Sequence, residues 1–250
     1  MRYSLGGVSF INSLPFFYGR ESECFDVSLK IPSELNAAAV GGKFDASMIS
    51  RWVYPSCAAE YAVLPNFCIG GDGEIMSIKL MSKFDISELD KGSIFITPQT
   101  GTSSRAYRRI CLNRFGFDIF DLPRKPIDEA DTVILIGDAA MLFDASKFPH
   151  CYDLGELWRD WAGCKMLYSV FVVRRNLYSE IAPKLAAFLD ASLAAFAADN
   201  SRVLARAAEI SAGALSRELL EKYYGRLIYK MDTADFEKSF DFVRENDTFR

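Results

Sequence analysis

Hydroxyls and amides, more than histidines or cysteine pairs, collect at the segment ends of this 250-residue chain. The first apolar run, "YSLGGVSFI", contains Ser9 and stops on Asn12-Ser13, with Pro15 behind it. Asn, Ser and Pro are turn formers, and the same pair would equally deliver an amide and a hydroxyl to a pocket. "ITPQTGTSS" ends on Thr100, Thr102, Ser103 and Ser104, directly before a helical pattern. Hydroxyls and free backbone N–H groups at a helix N-terminus suit a carboxylate or phosphate, whereas a plain N-cap needs only one Ser or Thr. "VILIGD" ends on Gly137-Asp138, where the aspartate either caps the next helix or faces a ligand. Another run closes on Ser50, and Ser77 lies within "GEIMSIKL".

The elements that must position these groups read as alternating strands and helices. Strand patterns fall at "DVSLKI", "FDASMIS", "YAVLPNFCIG", "MSIKLMSK", "GSIFITP", "DTVILIGD" and "MLYSVFVVRR". Helix patterns fall at "PSELNAAAVGG", with Pro32 at its start and glycines at its stop, at "RAYRRICLNRFG" and at "DLGELWRDWAG". This βαβ alternation predicts α/β architecture with mostly parallel sheets. From Tyr178 the pattern turns helical, and Thr233 is the expected N-cap of the last helix. Residues 1–80 with 172–250 are expected to form a first lobe carrying a helical tail, and 81–171 a second. Two crossovers, near 77–85 and 166–176, would then flank a ligand cleft between the lobes. Polar strand ends are where open α/β sheets bind ligands.

Composition narrows the function classes. Half of the residues are hydrophobic and the net charge is −4, with no Lys/Arg stripe, so nucleic acid is not an expected partner. No apolar run reads as long enough for a membrane span, and the N-terminus reads as a strand instead of a signal peptide. The six cysteines contain no C-x-x-C, and the single histidine, His150, beside Cys151, is too little for a zinc site. No metal or organic cofactor is expected, and a cytoplasmic protein with reduced thiols is. His150 reads as a loop residue, Trp158 and Trp161 as core, Arg174-Arg175 as a strand end, and Cys68 and Cys164 as small buried apolar groups.

Taken in order, "GGVSFINSLPFFYG", "IPSELNAAAVGGKFDASMIS", "GDGEIMSIKLMSK", "ITPQTGTSSRAYRRI", "VILIGDAAM" and "YDLGELWRDWAG" resemble the chorismate dehydratase family of the futalosine route to menaquinone. The resemblance implies a two-lobed fold like type II periplasmic binding proteins and a lyase without metal or organic cofactor. It implies chorismate as the small-molecule substrate. It assigns Asn12 and Ser77 to the reacting part of that substrate and Thr102 and Ser103 to an anion-anchoring loop. Ser9, Ser13, Ser50 and Asp138 complete the expected binding set. After "WAG" this chain departs from the family's usual run, with Cys164-Lys165 in place of a Leu-Pro-Phe type segment. A sister family, which releases dihydroxynaphthoate later in the same route, resembles the chain in fold. It has a histidine where this sequence has Ile136-Gly137-Asp138. A small-anion binding protein of the same fold is the remaining alternative.

No histidine stands in any of these motifs, so no protein base is obvious. The expectation is that the substrate's own side-chain carboxylate takes the proton, with Asp45, Asp72, Glu74 and Asp138 as the protein carboxylates that would compete.

Overall fold

A computed structural model describes residues 2–246. The chain opens with β1 (Tyr3–Val8), a single 3-10 turn (Ile11–Ser13), α1 (Leu14–Phe17), β2 (Phe25–Lys30), α2 (Pro32–Val40), β3 (Ala46–Ser50) and β4 (Tyr61–Gly71). The middle holds β5 (Ile78–Ser82), β6 (Ile94–Ile96), α3 (Thr102–Phe115), β7 (Thr132–Ile136), α4 (Asp138–Leu142), β8 (His150–Asp153) and α5 (Leu154–Ala162). The last part runs β9 (Met166–Arg174), α6 (Tyr178–Ala198), α7 (Ser201–Ile210), α8 (Arg217–Arg226), β10 (Leu227–Lys230) and α9 (Thr233–Asn246).

These elements form two compact units: Met1–Gly70 with Leu167–Arg250, and Gly71–Met166. The boundaries fall earlier in the chain than the expected breaks after residues 80 and 171. The reason is β5, whose two neighbours, β7 and β8, both belong to the middle unit. The segment leading into β5 therefore belongs there too.

The first unit is built on a six-stranded sheet of order β10-β4-β9-β3-β1-β2, with β1 parallel to β2 and β3 and β9 antiparallel to β3. The middle unit has a four-stranded sheet of order β6-β7-β5-β8, in which only the β6–β7 pair is parallel. Both sheets are thus mixed, and the middle one is mostly antiparallel where mostly parallel pairing was expected; β9 runs against β3, and β5 against β7 and β8.

Close approach to β1 explains "GG" within the first strand. A Cβ on Gly7 would sit 2.7 Å from the Phe17 ring, and one on Gly6 would sit 2.6 Å from Ser47 Oγ. α1 can therefore fold back over β1. There Phe16 meets Phe171 edge-to-face at 5.1 Å, a contact type that contributes about 0.5–1.5 kcal/mol beyond its area. Leu5, Leu35, Met48 and Phe171 are fully buried in this core. The tail packs on the same unit: Phe236 lies among Ala39, Ile49, Tyr61, Cys68 and Val170.

Four local expectations are corrected. His150 lies in a strand, β8, with its ring stacked on Tyr152, although Pro149 suggested a loop. β10 emerges from "LIYK", a four-residue stretch that only its neighbour β4 makes a strand. Asp232, not Thr233, caps α9, accepting the Asp235 N–H at 2.9 Å, while Thr233 pairs with Asn66. Finally, the helical stretch Arg175–Ala198 is long and apolar enough to cross a membrane by length and composition, unlike any run seen in the sequence reading. Its alanines carry that apolarity, and Ile181, Ala182, Leu185 and Leu189 form its buried face. Trp158, Cys68 and Cys164 are buried as expected, and β9 ends at Arg174.

Candidate functional site

In the first unit the candidate groups gather at the carboxyl ends of β1 and β3. The two strands are parallel with Gly6 opposite Ser47, so carrying the register forward brings Ser9 level with Ser50. The Ser9 hydroxyl has no hydrogen-bond partner among the described residues, and the Ser9 N–H ties to the Lys30 carbonyl at 2.9 Å. The buried Ser50 donates its N–H to Asn36 Oδ1 on α2 at 3.0 Å.

Asn12 and Ser13 divide between the two roles open to them. Ser13 is 1% exposed and its hydroxyl donates into the turn, to the carbonyls of Val8 and Phe10. Its one proton is committed there, which corrects its placement among the substrate-facing groups. Asn12, in contrast, keeps its Oδ1 enclosed with no partner. An enclosed polar atom left unmatched costs about 1–3 kcal/mol, so such an atom points to a ligand group that completes it. The turn is fixed from the tail, where the Tyr224 hydroxyl donates to the Ile11 carbonyl at 2.8 Å.

In the middle unit three segments meet at one end of the sheet. β5 and β7 are antiparallel with Ile78 opposite Ile136, so Ser77 and Gly137 follow as neighbours, and the Gly137 N–H donates to the Ser77 carbonyl at 2.7 Å. β6 lies parallel to β7, which brings the start of α3 to the same end. Ser77 is buried at 6% exposure, and among the described residues no hydrogen-bond partner meets its hydroxyl.

The four hydroxyls of "TGTSS" split into two kinds. Thr100 and Ser104 bind each other's backbone: Ser104 N–H to Thr100 Oγ1 at 2.9 Å, and Ser104 Oγ to the Thr100 carbonyl at 2.8 Å. That pair is the helix cap. The buried Ser103 has no partner for its hydroxyl among the described residues and stands with Thr102 in the first turn of α3. There the helix dipole favours an anion by roughly 0.3–1 kcal/mol.

Asp138 is not a cap. Gly137 holds the N-cap position of α4, with φ +64° and ψ −147°, and no side chain caps this helix. The Asp138 carboxyl is half-buried, and desolvation pushes its pKa above the usual aspartate range. Of the competing carboxylates, Asp45 is held by Ser4 through its N–H and its hydroxyl, both at 2.8 Å, at the start of β3. Asp72 is ion-paired to Arg159 of α5. Asp138 follows Gly137, whose N–H bonds the Ser77 carbonyl, so the main chain sets Asp138 next in line to Ser77.

One buried carboxylate, Asp153, escaped the sequence reading. It caps α5 through the Gly155 N–H at 2.8 Å and also accepts the N–H groups of Ile75 at 3.1 Å and Met76 at 2.7 Å. "YDLGELW" carries the cap signal, but its partners lie more than 70 residues away in sequence. Burial pushes the Asp153 pKa up, while the three N–H groups oppose that shift.

Comparison with known proteins places the chain. A model of the menaquinone biosynthesis family matches residues 3–243. The chorismate dehydratase of Thermus thermophilus is 25% identical over 194 residues, 70% of this chain and 70% of that protein. Protein AF1704 of Archaeoglobus fulgidus has the same fold, with TM-score 0.77 at 18% identity, covering 99% of this chain and 98% of that one. The alkanesulfonate-binding protein SsuA of Xanthomonas axonopodis pv. citri, bound to MOPS, gives TM-score 0.67 at 11% identity, covering 100% and 94%. The fold is periplasmic-binding-protein-like α/β.

Proposed function

The chain belongs to the menaquinone biosynthesis family, and from that premise we propose that it is a lyase removing water from chorismate to give 3-[(1-carboxyvinyl)oxy]benzoate, the futalosine-route reaction. The observation that carries the reading is the grouping of an unpartnered Ser77 hydroxyl, the Asp138 carboxyl and the first turn of α3 at one sheet end. The relative named chorismate dehydratase supports it. A cytoplasmic setting belongs to the same proposal.

In the reaction the C3–H bond breaks and its electron pair forms the C3–C4 π bond. The C4–O bond breaks as that π bond forms, and the hydroxide leaves as water with the proton taken from C3, handed on by the substrate's side-chain carboxylate. Aromatisation drives the step, so the protein's task is orientation, which is worth several kcal/mol. Asn12 and Ser77 hold the side-chain carboxylate, which takes the C3 proton, and the departing hydroxyl. Thr102 and Ser103 anchor a carboxylate. Ser9, Ser50 and Asp138 bind the remainder, Asp138 by accepting from a hydroxyl.

Incubating the purified protein with chorismate and following product mass tests this. Loss of one water from the substrate is the expected result. Binding of chorismate without turnover overturns the enzyme reading in favour of a binding protein, as the fold of SsuA would allow.

A further inference from the structure

Ser77 is delivered by a turn that its own sequence does not favour. The Ser77 N–H donates back to the Ile75 carbonyl at 2.8 Å, closing a three-residue turn around Met76. Met76 has φ +67°. An unbranched but bulky side chain rarely adopts that region, and the turn of this hand is strained. Strain of this kind costs about 1–3 kcal/mol and persists only where the surroundings fix it.

One side chain holds both residues that lead into Ser77. Asp153 is 6% exposed and takes the N–H groups of both Ile75 and Met76, the two residues leading into Ser77. Its Oδ1 also takes the Gly155 N–H. The same carboxylate therefore caps the start of α5 and shapes the turn. Gly155 allows the approach: a Cβ there would lie 1.9 Å from the Gly73 carbonyl oxygen. The Asp72–Arg159 ion pair ties the start of the same loop to α5.

We propose that Asp153 is a positioning residue, holding the Ile75–Met76–Ser77 turn in its strained form so that the Ser77 hydroxyl is fixed for the substrate. This rests on the reading of Ser77 as a substrate-facing group. Asp153 touches no reacting atom. A neutral amide in its place would lose the charge-assisted bonds, and its NH2 would face backbone N–H groups. The turn would then relax toward negative φ at Met76 and carry Ser77 with it.

The test uses the full chain with Asp153→Asn, Met76→Gly and the double variant. Chorismate turnover, thermal melting and amide hydrogen exchange at residues 75–77 are read on each. Asp153→Asn is expected to lower kcat by up to about 100-fold, the scale of a 1 Å misplacement, with KM little changed. Exchange at Met76 and Ser77 should quicken. Glycine accepts φ +67° without strain, so Met76→Gly in the Asp153→Asn background should recover much of kcat, and a merely structural Asp153 would give no such rescue. An Asp153→Asn variant with unchanged kcat and unchanged exchange at 75–77 overturns the proposal. So does a loss of kcat that Met76→Gly does not relieve at all. If the wild-type chain does not dehydrate chorismate, the proposed function fails on its own. The exchange measurement still decides whether Asp153 holds the turn. Should Asp153→Asn fail to fold, Gly155→Ala displaces the Gly73 carbonyl and must reproduce the kcat loss and faster exchange, or the proposal falls.

Discussion

The Gly137 N–H donates to the Ser77 carbonyl at 2.7 Å, one step beyond the Ile78–Ile136 pair of the β5–β7 ladder. Ser77 and Asp138 are thus held in fixed register by main chain, whatever their side chains do. Gly137 itself sits at φ +64°, ψ −147°, a region essentially reserved for glycine. A Cβ there would meet nothing within 4 Å, so the penalty of Gly137→Ala is purely backbone. A stability loss of about 1–3 kcal/mol is expected. Melting and turnover should fall together in this variant.

Asp138→Asn separates stability from activity. Desolvation raises the folded-state pKa of Asp138, so folding favours its protonated form. That destabilises the charged protein above the raised folded value, and the effect vanishes below the unfolded value of about 3.9. Asp138→Asn should therefore melt higher than wild type at neutral pH, with the gap closing as pH falls through the raised folded value toward the unfolded one. Turnover of chorismate should drop, and the wild-type acid limb should begin at higher pH than an ordinary aspartate gives. Equal melting temperatures at neutral pH would contradict the burial argument.

The two kinds of hydroxyl in "TGTSS" should answer differently to alanine. Thr100→Ala removes the cap on Ser104 and should cost about 1 kcal/mol of stability. Ser103→Ala should leave melting nearly unchanged, and Thr102→Ala with Ser103→Ala should raise KM more than it lowers kcat. A carboxylate held alike in ground and transition states predicts that split. Unchanged kinetic constants in the double variant would reduce the segment to a helix cap.

Asn12 distinguishes turn from site by charge. Aspartate suits turns about as well as asparagine, and Ser13 already closes this one through Val8 and Phe10. Asn12→Asp should still fold, at some cost in melting because its charge lies in an enclosed position, and lose turnover outright, because it sets a carboxylate against the substrate's own. Asn12→Ala should lose at least the ~1–3 kcal/mol of an unmade buried hydrogen bond in kcat/KM. Near-normal turnover in either variant would make Asn12 a turn residue only.

The strand ends were readable because each joins a β-branched or apolar run to a polar stop, as in "VILIGD" and "FDASMIS". What the pattern could not carry was pairing across long sequence separations. β10 is a strand because β4 lies beside it, and the apolar pattern of "LIYK" alone is equally compatible with a helix end. Asp153 was legible as a cap but not as the clamp on Met76, since that needs β5 and β8 to be neighbours. The division of labour among the "TGTSS" hydroxyls, and between Asn12 and Ser13, depended on bond directions that residue types leave open.

The order of strands in the larger sheet has a consequence for how the protein is made. β9 lies between β4 and β3, so these two early strands have no common neighbour until the chain near Arg174 has left the ribosome. The middle unit is one continuous segment, Gly71–Met166, and can complete its sheet while the first strands still wait. The turn carrying Asn12 waits longer, since the Tyr224 hydroxyl that holds the Ile11 carbonyl comes near the end of synthesis. Translation proceeds from the N-terminus, yet the turn that follows the first strand is among the last parts of the fold to be locked in place.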